Sequence, residues 1–497
     1  AVRAVFREFP ILEDYFAAAR DRMPGHLLPT EWVEFWESHV VAWEHGTPRR
    51  LPLRDIGRDT GLGFEASVAA VLAGSVEADL HLGALVASLQ GSPGSRRPTV
   101  SLLSSITRAN GRDTESVPER MLSLGWLQAA DEGELRAEQH LRLAPGLWEV
   151  IQGRPATFGG ALVPNPRSAP HLKALPLSSE VRDRALALPA LVSRERPTAL
   201  VVRGPTGSGR RALIRAVARG LRRRAIELTW PVSDGPGASV PAAWHGLGPF
   251  CELNRIVPIV DVDVPPGVSV TLPSLPAYTG FIGIVLGRHG GLAGPAAERA
   301  IYLDLPYPDP GQRAAFWREG FAGFPSPPPE ELGDRLRLTG GYIQRVALQA
   351  RSLALMAGRS RVDFDDVRRA SQALNRHHLE PLALRVEPWG TWNDLLVNEI
   401  TARDLDELET RCRHRELLVA ASGPAFQGSL TRGVRALFNG PTGTGKTLAA
   451  RILAAELGMD LYRVDLAAVV DKYVQANVIN PNHQGSKFRF SIFTGLS

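Results

Sequence analysis

Apolar side chains recur every three or four positions over residues 1–90, which predicts a helical N-terminal region. Aromatic residues form much of this stripe, and an aromatic stripe at helical spacing is usually part of a core. We therefore expect the stripe to be buried. Its members are Phe6, Phe9, Leu12, Tyr15, Phe16, Trp32, Phe35, Trp36 and Trp43.

Shorter periodic segments follow a turn signal at Gly91–Arg97. They predict two helices, Thr99–Ala109 and Ser116–Leu124, and then two small strands at 125–127 and 141–143. Two helices followed by a ribbon are the outline of a winged helix, so we interpret residues 91–155 as a winged-helix-like region.

This region has two possible roles, DNA contact or protein docking and structural support. Its second predicted helix carries Arg120 but no basic, amide-rich face that could read base edges. Docking or structural support is therefore favoured, and nucleic acid is possible as a partner but not favoured.

A stretch rich in Pro and Gly, residues 156–175, predicts a linker. Beyond it, apolar runs at Ala199–Arg203, Ile256–Val260 and Phe281–Leu286 predict buried strands separated by helices, as in a parallel sheet. From Asp309 onward the pattern is helical. The fold class is therefore α/β, with a parallel sheet and a mainly helical region before it.

A second strand, loop and helix are predicted at 434–457. Val434–Phe438 is apolar enough for a buried strand, and Thr447–Leu457 has the composition of a helix. Between them, Gly440–Thr447 fits the phosphate-binding pattern G-x-x-x-x-G-K-[ST] at every fixed position. The alternative is a Gly-rich turn before a core helix.

The chemistry of this pattern is that of a nucleotide site. Glycines let backbone N–H groups surround a polyphosphate, and the helix start attracts the anion. Lys446 would contact the β- and γ-phosphates of ATP, and the Thr447 hydroxyl would bind Mg²⁺. The predicted site is Gly440, Pro441, Thr442, Gly443, Thr444, Gly445, Lys446, Thr447 and Leu448.

Composition sharpens this interpretation. Of 57 Lys and Arg residues only Lys173, Lys446, Lys472 and Lys487 are lysine. The chain uses arginine at almost every other basic position, so the lysine in this loop stands out. The length of 497 residues with 44% hydrophobic residues predicts several globular domains. With only two cysteines the chain suits the reducing cytoplasm, and no apolar run reaches membrane-spanning length, so no membrane contact is expected. A net charge of +5 is mild for this length and does not by itself indicate nucleic acid.

A similar loop occurs earlier, at 204–211, but with altered chemistry. Gly204, Gly207 and Gly209 keep the loop design, whereas Arg210 replaces the lysine and Arg211 replaces the metal-binding hydroxyl. The planar guanidinium of Arg is a poor substitute for a compact ammonium in a tight loop.

The strand partner of this first loop is also altered. Asp261 follows Ile256–Val260 as the aspartate of a Walker B strand would, but Val262 stands where a catalytic Glu is expected and Asp263 is a weak substitute. The next predicted strand ends without a polar residue that could contact the γ-phosphate. We expect this module not to hydrolyse nucleotide.

These motifs resemble those of tandem AAA ATPases, with a degenerate first module and an intact Walker A loop in the second. The resemblance implies a helical lid after the first module, with Arg345 near the sensor-2 position, and an oligomeric ring. The layout is similar to bacterial AAA proteins of contractile injection systems. The expected domains are 1–90, 91–155, 156–175, 176–385 (first module with lid), 386–474 (start of second module) and 475–497 (divergent tail).

The tail after Val474 departs from the family pattern, since a Gly-Glu-Thr type pore segment is expected there. Two explanations are open, a truncated or frameshifted end, which we favour, and a real but short divergent end. We expect a poorly packed tail from Gln475. Three functions remain open: an ATPase that remodels or assembles a protein partner, a non-hydrolysing ATP-dependent scaffold, and a winged-helix nucleic-acid-binding regulator.

Overall fold

The computed structural model places most of the chain in two compact units, Ala1–Tyr307 and Pro308–Ser497. The expected tail, 475–497, and Asp263 and Thr442 lie outside the described residues. The finer domain boundaries stay predictions. The structure describes residues 9–28, 31–47, 51–91, 95–108, 116–130, 135–155, 157–158, 161–162, 169–229, 242–262, 264, 268–379, 384–421, 434, 436–441 and 443–463.

The first unit combines helices with a central parallel sheet. Its helices are α1 (Ile11–Arg20), α2 (Trp32–Gly46), α3 (Pro52–Thr60), α4 (Phe64–Ala78), α5 (Leu80–Leu89), α6 (Val100–Arg108), α7 (Val117–Ser123), α8 (Leu147–Ile151), α9 (Ser179–Glu195), α10 (Arg210–Gly220), α11 (Ala242–Asn254) and α12 (Pro295–Glu298). Its strands are β1 (Leu127–Ala129), β2 (Leu141–Leu143), β3 (Thr157–Phe158), β4 (Ala161–Leu162), β5 (Ala199–Arg203), β6 (Arg224–Thr229), β7 (Ile256–Val262), β8 (Ser269–Thr271), β9 (Ile282–Leu286), β10 (Gly291–Ala293) and β11 (Ala300–Asp304).

Five strands form the central sheet in the order β11-β5-β9-β7-β6, and every neighbouring pair is parallel. Val201 in β5 is opposite Tyr302 on one side and Ile284 on the other, which fixes the register. This confirms the predicted α/β class and the three predicted strands. Because all strands point the same way, the loops that follow them meet at one edge of the sheet.

Both faces of the sheet are covered, which explains the continuous apolar runs. Val201 packs into a core that also contains Trp126 and Phe250. Its neighbours Leu200 and Val202 point to the other face and pack with α9 and α10. The N-terminal region therefore shares its core with one face of the sheet.

The predicted helix pair and ribbon are present. Helices α6 and α7 lie within the two predicted segments, and β1 and β2 pair antiparallel, with Leu127 opposite Leu143. The ribbon packs closely on α11, because a Cβ on Gly125 would lie 2.0 Å from the carbonyl oxygen of His245. The winged-helix assignment itself stays a prediction.

The prediction that the N-terminal aromatic stripe is buried was wrong where the structure describes it. Helix α2 has no buried residue, and Trp36 and Trp43 are 43% and 61% exposed. The described rings contact each other locally, as Phe16 and Trp32 do at 4.9 Å between centroids. The spacing correctly predicted the helix, but these contacts with described residues leave none of its side chains buried.

The second unit is helical, with one short antiparallel strand pair among its described residues. Trp317, Ile343 and Val362 are fully buried in its main core. Its elements are α13 (Pro310–Gly320), α14 (Pro329–Arg335), α15 (Gly340–Met356), α16 (Phe364–Leu379), β12 (Leu384–Val386), α17 (Glu399–Ala421), α18 (Lys446–Glu456) and β13 (Leu461–Arg463), with β12 paired to β13.

No single helix in the described part of the chain is long and apolar enough to cross a membrane, and one bent pair, α4 with α5 at 119°, passes only by combined length and composition. Both cysteines, Cys251 and Cys412, are buried.

Candidate functional site

The first loop lies between β5 and α10, at the carboxyl edge of the sheet. Gly207 and Gly209 have φ of 80° and 90°, a backbone region that glycine occupies without strain. At Gly204 a Cβ would lie 2.7 Å from the carbonyl oxygen of Leu305. The glycines therefore form the tight loop that the pattern predicted.

The two arginines of this loop bind protein groups at the ends of neighbouring strands. Arg210 donates a hydrogen bond through Nη1 to the carbonyl oxygen of Leu286, the last residue of β9. Arg211 donates through Nη2 to Oδ2 of Asp261, near the end of β7. The loop thus contacts Asp261, the residue predicted to orient Mg²⁺ in a Walker B strand.

Arg211 lies between two carboxylates. Asp261 is its hydrogen-bond partner, and Oε2 of Glu227 is 3.9 Å from its Nε. The hydrogen bond to Asp261 raises the pKa of the Arg211 guanidinium above its ordinary value, so this cation keeps its charge. A fixed cation on Asp261 occupies the carboxylate that would orient Mg²⁺, and the residues of this loop therefore do not fit a metal ion.

Ser208 in the first loop has a buried hydroxyl with no partner among the described residues, so the loop keeps one spare donor.

Arg345, predicted near the sensor-2 position, lies on α15 in the second unit. Its guanidinium packs over the Tyr342 ring and donates a hydrogen bond to the Gly341 carbonyl oxygen at 3.3 Å.

The second loop has the backbone of the first. Gly440, Gly443 and Gly445 have φ of 156°, 90° and 82°. Helix α18 begins at Lys446, so its first N–H groups and its positive dipole end face the loop.

Lys446 folds back over its own loop. Its Nζ donates to the carbonyl oxygens of Gly440, at 2.9 Å, and Pro441, and lies 3.4 Å from Oγ1 of Thr444. This places the ammonium over the concave side of the loop, where phosphates bind in such loops. Thr447 is exposed at the start of α18, and Leu448 is half-buried.

The buried strand predicted at Val434–Phe438 is not present among its described residues. Val434 and residues 436–438 have no regular structure, and Leu437 is 69% exposed. A strand needs a neighbouring strand to satisfy its backbone groups, and no described strand pairs with this segment. The loop and helix form here without it.

A cavity of about 790 Å³ opens beside the second loop. Its walls are the loop, the segment around Leu395 and Asn398, and the first turns of α17, including Thr401 and Asp404. This volume is within the range of small-ligand pockets. The residues therefore fit a nucleotide: loop N–H groups and Lys446 can hold phosphates, and the Thr447 hydroxyl can bind Mg²⁺.

Sequence reasoning missed the partner residues of both loops. Glu227, which pairs with Arg211 and Arg215, lies on β6 and carries no motif. Leu395 approaches the second loop so closely that a Cβ on Gly445 would lie 3.0 Å from its Cδ1. Neither contact follows from spacing along the chain, because both join distant segments.

A family match to known proteins includes the second loop. Residues 436–481 match the family described as "ATPase family associated with various cellular activities (AAA)". A protein of Sinorhizobium fredii (strain NBRC 101917 / NGR234), named "Uncharacterized AAA family ATPase y4kL", is 34% identical over 96 residues, 19% of this chain. The match spans 27% of that relative's length. The segment that carries the second loop therefore matches an AAA family ATPase domain.

Proposed function

We propose that the chain binds Mg·ATP at its second loop, as part of an ATPase that remodels or assembles a protein partner. The observation that carries this proposal is the position of Lys446, held over a loop of left-handed glycines at the mouth of a nucleotide-sized cavity. The AAA match of the same segment supports it.

The roles of the residues follow from their chemistry. The N–H groups of Gly443, Gly445 and the first turn of α18 would bind phosphate oxygens, and Lys446 would exchange its two carbonyl contacts for phosphates. Thr447 would hold the metal. Bound Mg·ATP supplies the phosphoanhydride bond whose hydrolysis drives the partner's rearrangement.

The wider organisation is part of the same proposal. Two loops with matching backbone angles favour tandem AAA modules, the first of them without hydrolysis. The resemblance of the sequence also leads us to propose a ring of several copies and a role beside contractile injection systems. Measuring the mass of the protein with and without Mg·ATP tests the ring. An unchanged monomer under both conditions would contradict the ring.

The decisive experiment measures binding and hydrolysis separately. Labelled Mg·ATP is titrated into the chain, and phosphate release is then followed at saturation. Binding with phosphate release supports the ATPase, whereas the absence of binding overturns the nucleotide site.

Binding without release would favour the second candidate, a non-hydrolysing scaffold. The Arg211–Asp261 pair supports this candidate for the first module, because it removes a metal-binding carboxylate.

The third candidate, a nucleic-acid-binding regulator, has less support. Arg120, the basic residue on α7, donates to the Thr60 carbonyl oxygen at 3.4 Å instead of standing free. Titration with duplex DNA at several salt concentrations tests this candidate, since phosphate contacts make affinity fall steeply with salt.

A further inference from the structure

A second concave site lies at the amino edge of the sheet, opposite the phosphate loop of the first unit. It is a cavity of about 620 Å³. Four arginines line it, and its apolar walls include Leu221 and Phe281. None of its lining residues is Asp or Glu. The arginines are Arg196, Arg222, Arg223 and Arg255.

The parallel topology brings these arginines together. Arg196 lies between α9 and β5, Arg222 and Arg223 lie between α10 and β6, and Arg255 lies between α11 and β7. The strands β5, β9, β7 and β6 are consecutive in the sheet, so the connections that enter them share one edge. The cavity is therefore built from three separate helix-to-strand turns.

The backbone at these turns is strained. Arg196, Arg222 and Arg255 have φ of 45°, 55° and 53°, and only one other described non-glycine residue, Ala277, has a positive φ. The left-handed region is unfavourable for side chains with a Cβ.

After other helices the chain uses glycine for this conformation, at Gly61, Gly358 and Gly458. Three arginines in one cavity, where glycine would be less strained, indicate that their side chains serve a purpose there.

Among the residues that the structure describes, their charges are also not balanced. Among the described residues, Arg196, Arg222 and Arg255 have no side-chain hydrogen bond or ion pair. Arg223 is different: its Nη2 is 3.7 Å from Oε1 of buried Glu252, although its buried Nη1 has no partner.

The carboxyl ends of α9, α10 and α11 contribute only about half a negative charge each at this edge. The cavity therefore keeps a net positive charge.

We propose that this cavity binds a small ligand with two or more phosphate groups. Four arginines line this one cavity, and guanidinium forks suit phosphate oxygens, which accept paired hydrogen bonds. The cavity volume suits a molecule of nucleotide size, and Leu221 and Phe281 offer contact to a less polar part. The proposal is independent of the second loop, because every residue named belongs to the first unit.

Inorganic tripolyphosphate is the probe, titrated calorimetrically into the full chain carrying Lys446→Ala, which suppresses phosphate binding at the second loop. The test variant adds Arg222→Gly and Arg255→Gly. We expect about a hundredfold loss of affinity, tenfold for each guanidinium. Because glycine relieves the strained turns, the thermal midpoint without ligand should stay unchanged or rise by about 2 °C.

Arg194→Gln is the matched control, since Arg194 is an exposed helical residue outside the cavity and pairs with Glu195. It removes one positive charge and should leave tripolyphosphate binding unchanged. Equal binding by the double glycine variant would overturn the proposal. A lower thermal midpoint of that variant would also overturn it, by assigning the arginines to the fold.

The alternative partners are outcomes of the same assay. Stronger binding of a glutamate-rich peptide than of tripolyphosphate would identify an acidic protein surface as the partner and contradict the proposal. Affinity that grows with the length of single-stranded DNA would do the same in favour of nucleic acid.

Discussion

The two glycine-rich loops of this chain share backbone angles and differ in what their side chains contact. Gly207 and Gly443 have φ of 80° and 90°, and Gly209 and Gly445 have φ of 90° and 82°. In the first loop, arginines contact the protein's own strand ends. In the second, the hydrogen bonds of Lys446 to described residues all stay within its own loop. The same loop backbone can therefore form with or without the side chains that a nucleotide site needs.

The difference arises from the residue that follows the lysine position. Thr447 offers a small exposed hydroxyl, whereas Arg211 extends a permanent cation to Asp261. An internal guanidinium can satisfy a carboxylate that a metal would otherwise share. We infer that the first loop keeps its shape because its own residues replace the ligand.

The sharpest test of this comparison exchanges each loop's cation for alanine. Lys446→Ala should weaken Mg·ATP binding ten- to a hundredfold, since a charge-assisted hydrogen bond contributes about 1.5–3 kcal/mol. Arg210→Ala should change it less than about twofold, because Arg210 binds the Leu286 carbonyl oxygen. The measurement is titration with labelled ATP, with thermal melts as the control for folding. Equal losses of Mg·ATP affinity in the two variants would contradict the expectation that the second loop is the nucleotide site.

A second test converts the first loop into the second. In a Lys446→Ala background, Arg210→Lys with Arg211→Thr restores the loop ammonium and hydroxyl and frees Asp261. We expect Mg·ATP affinity to rise about tenfold over Lys446→Ala alone, and the gain to disappear with EDTA.

Arg210→Lys alone is the matched control for the conversion, because it leaves Arg211 on Asp261. If the double change gained no affinity, the Arg211–Asp261 pair would not be what excludes the metal.

Matched glycine substitutions separate fold from binding. Gly207→Ala and Gly443→Ala each force a side chain into a left-handed backbone, and each should lower the free energy of unfolding by about 1 kcal/mol. Only Gly443→Ala should also lower Mg·ATP affinity, by about fivefold, since it misdirects a phosphate-binding N–H group. Denaturant unfolding and ATP titration measure the two effects. A similar affinity loss at Gly207 would mean that the first loop also binds.

The smallest expected effect concerns the ion pair itself. Asp261→Asn removes the charge that pairs with Arg211, whose side chain is 51% exposed. The free energy of unfolding should fall by about 0.5 kcal/mol, the size typical of exposed pairs, with no change in ATP affinity. Urea unfolding resolves this shift when compared with Asp304→Asn, which changes a carboxylate on β11 that forms no ion pair with any described residue. A large affinity change would give Asp261 a direct role in binding.

The sequence by itself determined the elements with strong local signals. Apolar runs gave β5, β7 and β9, and the glycine pattern gave both loops, because strand burial and tight turns depend on nearby residues. The sequence also located the replacements Arg210 and Arg211 and the retained Asp261, because each is identified by its position in a local motif.

Only the tertiary structure decided which groups meet. The pairing of Arg211 with Asp261 joins residues fifty positions apart, and the arginine cavity joins three turns that carry no common motif. Tertiary context likewise decided against burial of Trp36 and Trp43 and against a strand at Val434–Phe438. Periodicity states which face of an element is apolar, but burial and strand pairing depend on what the rest of the fold brings beside it.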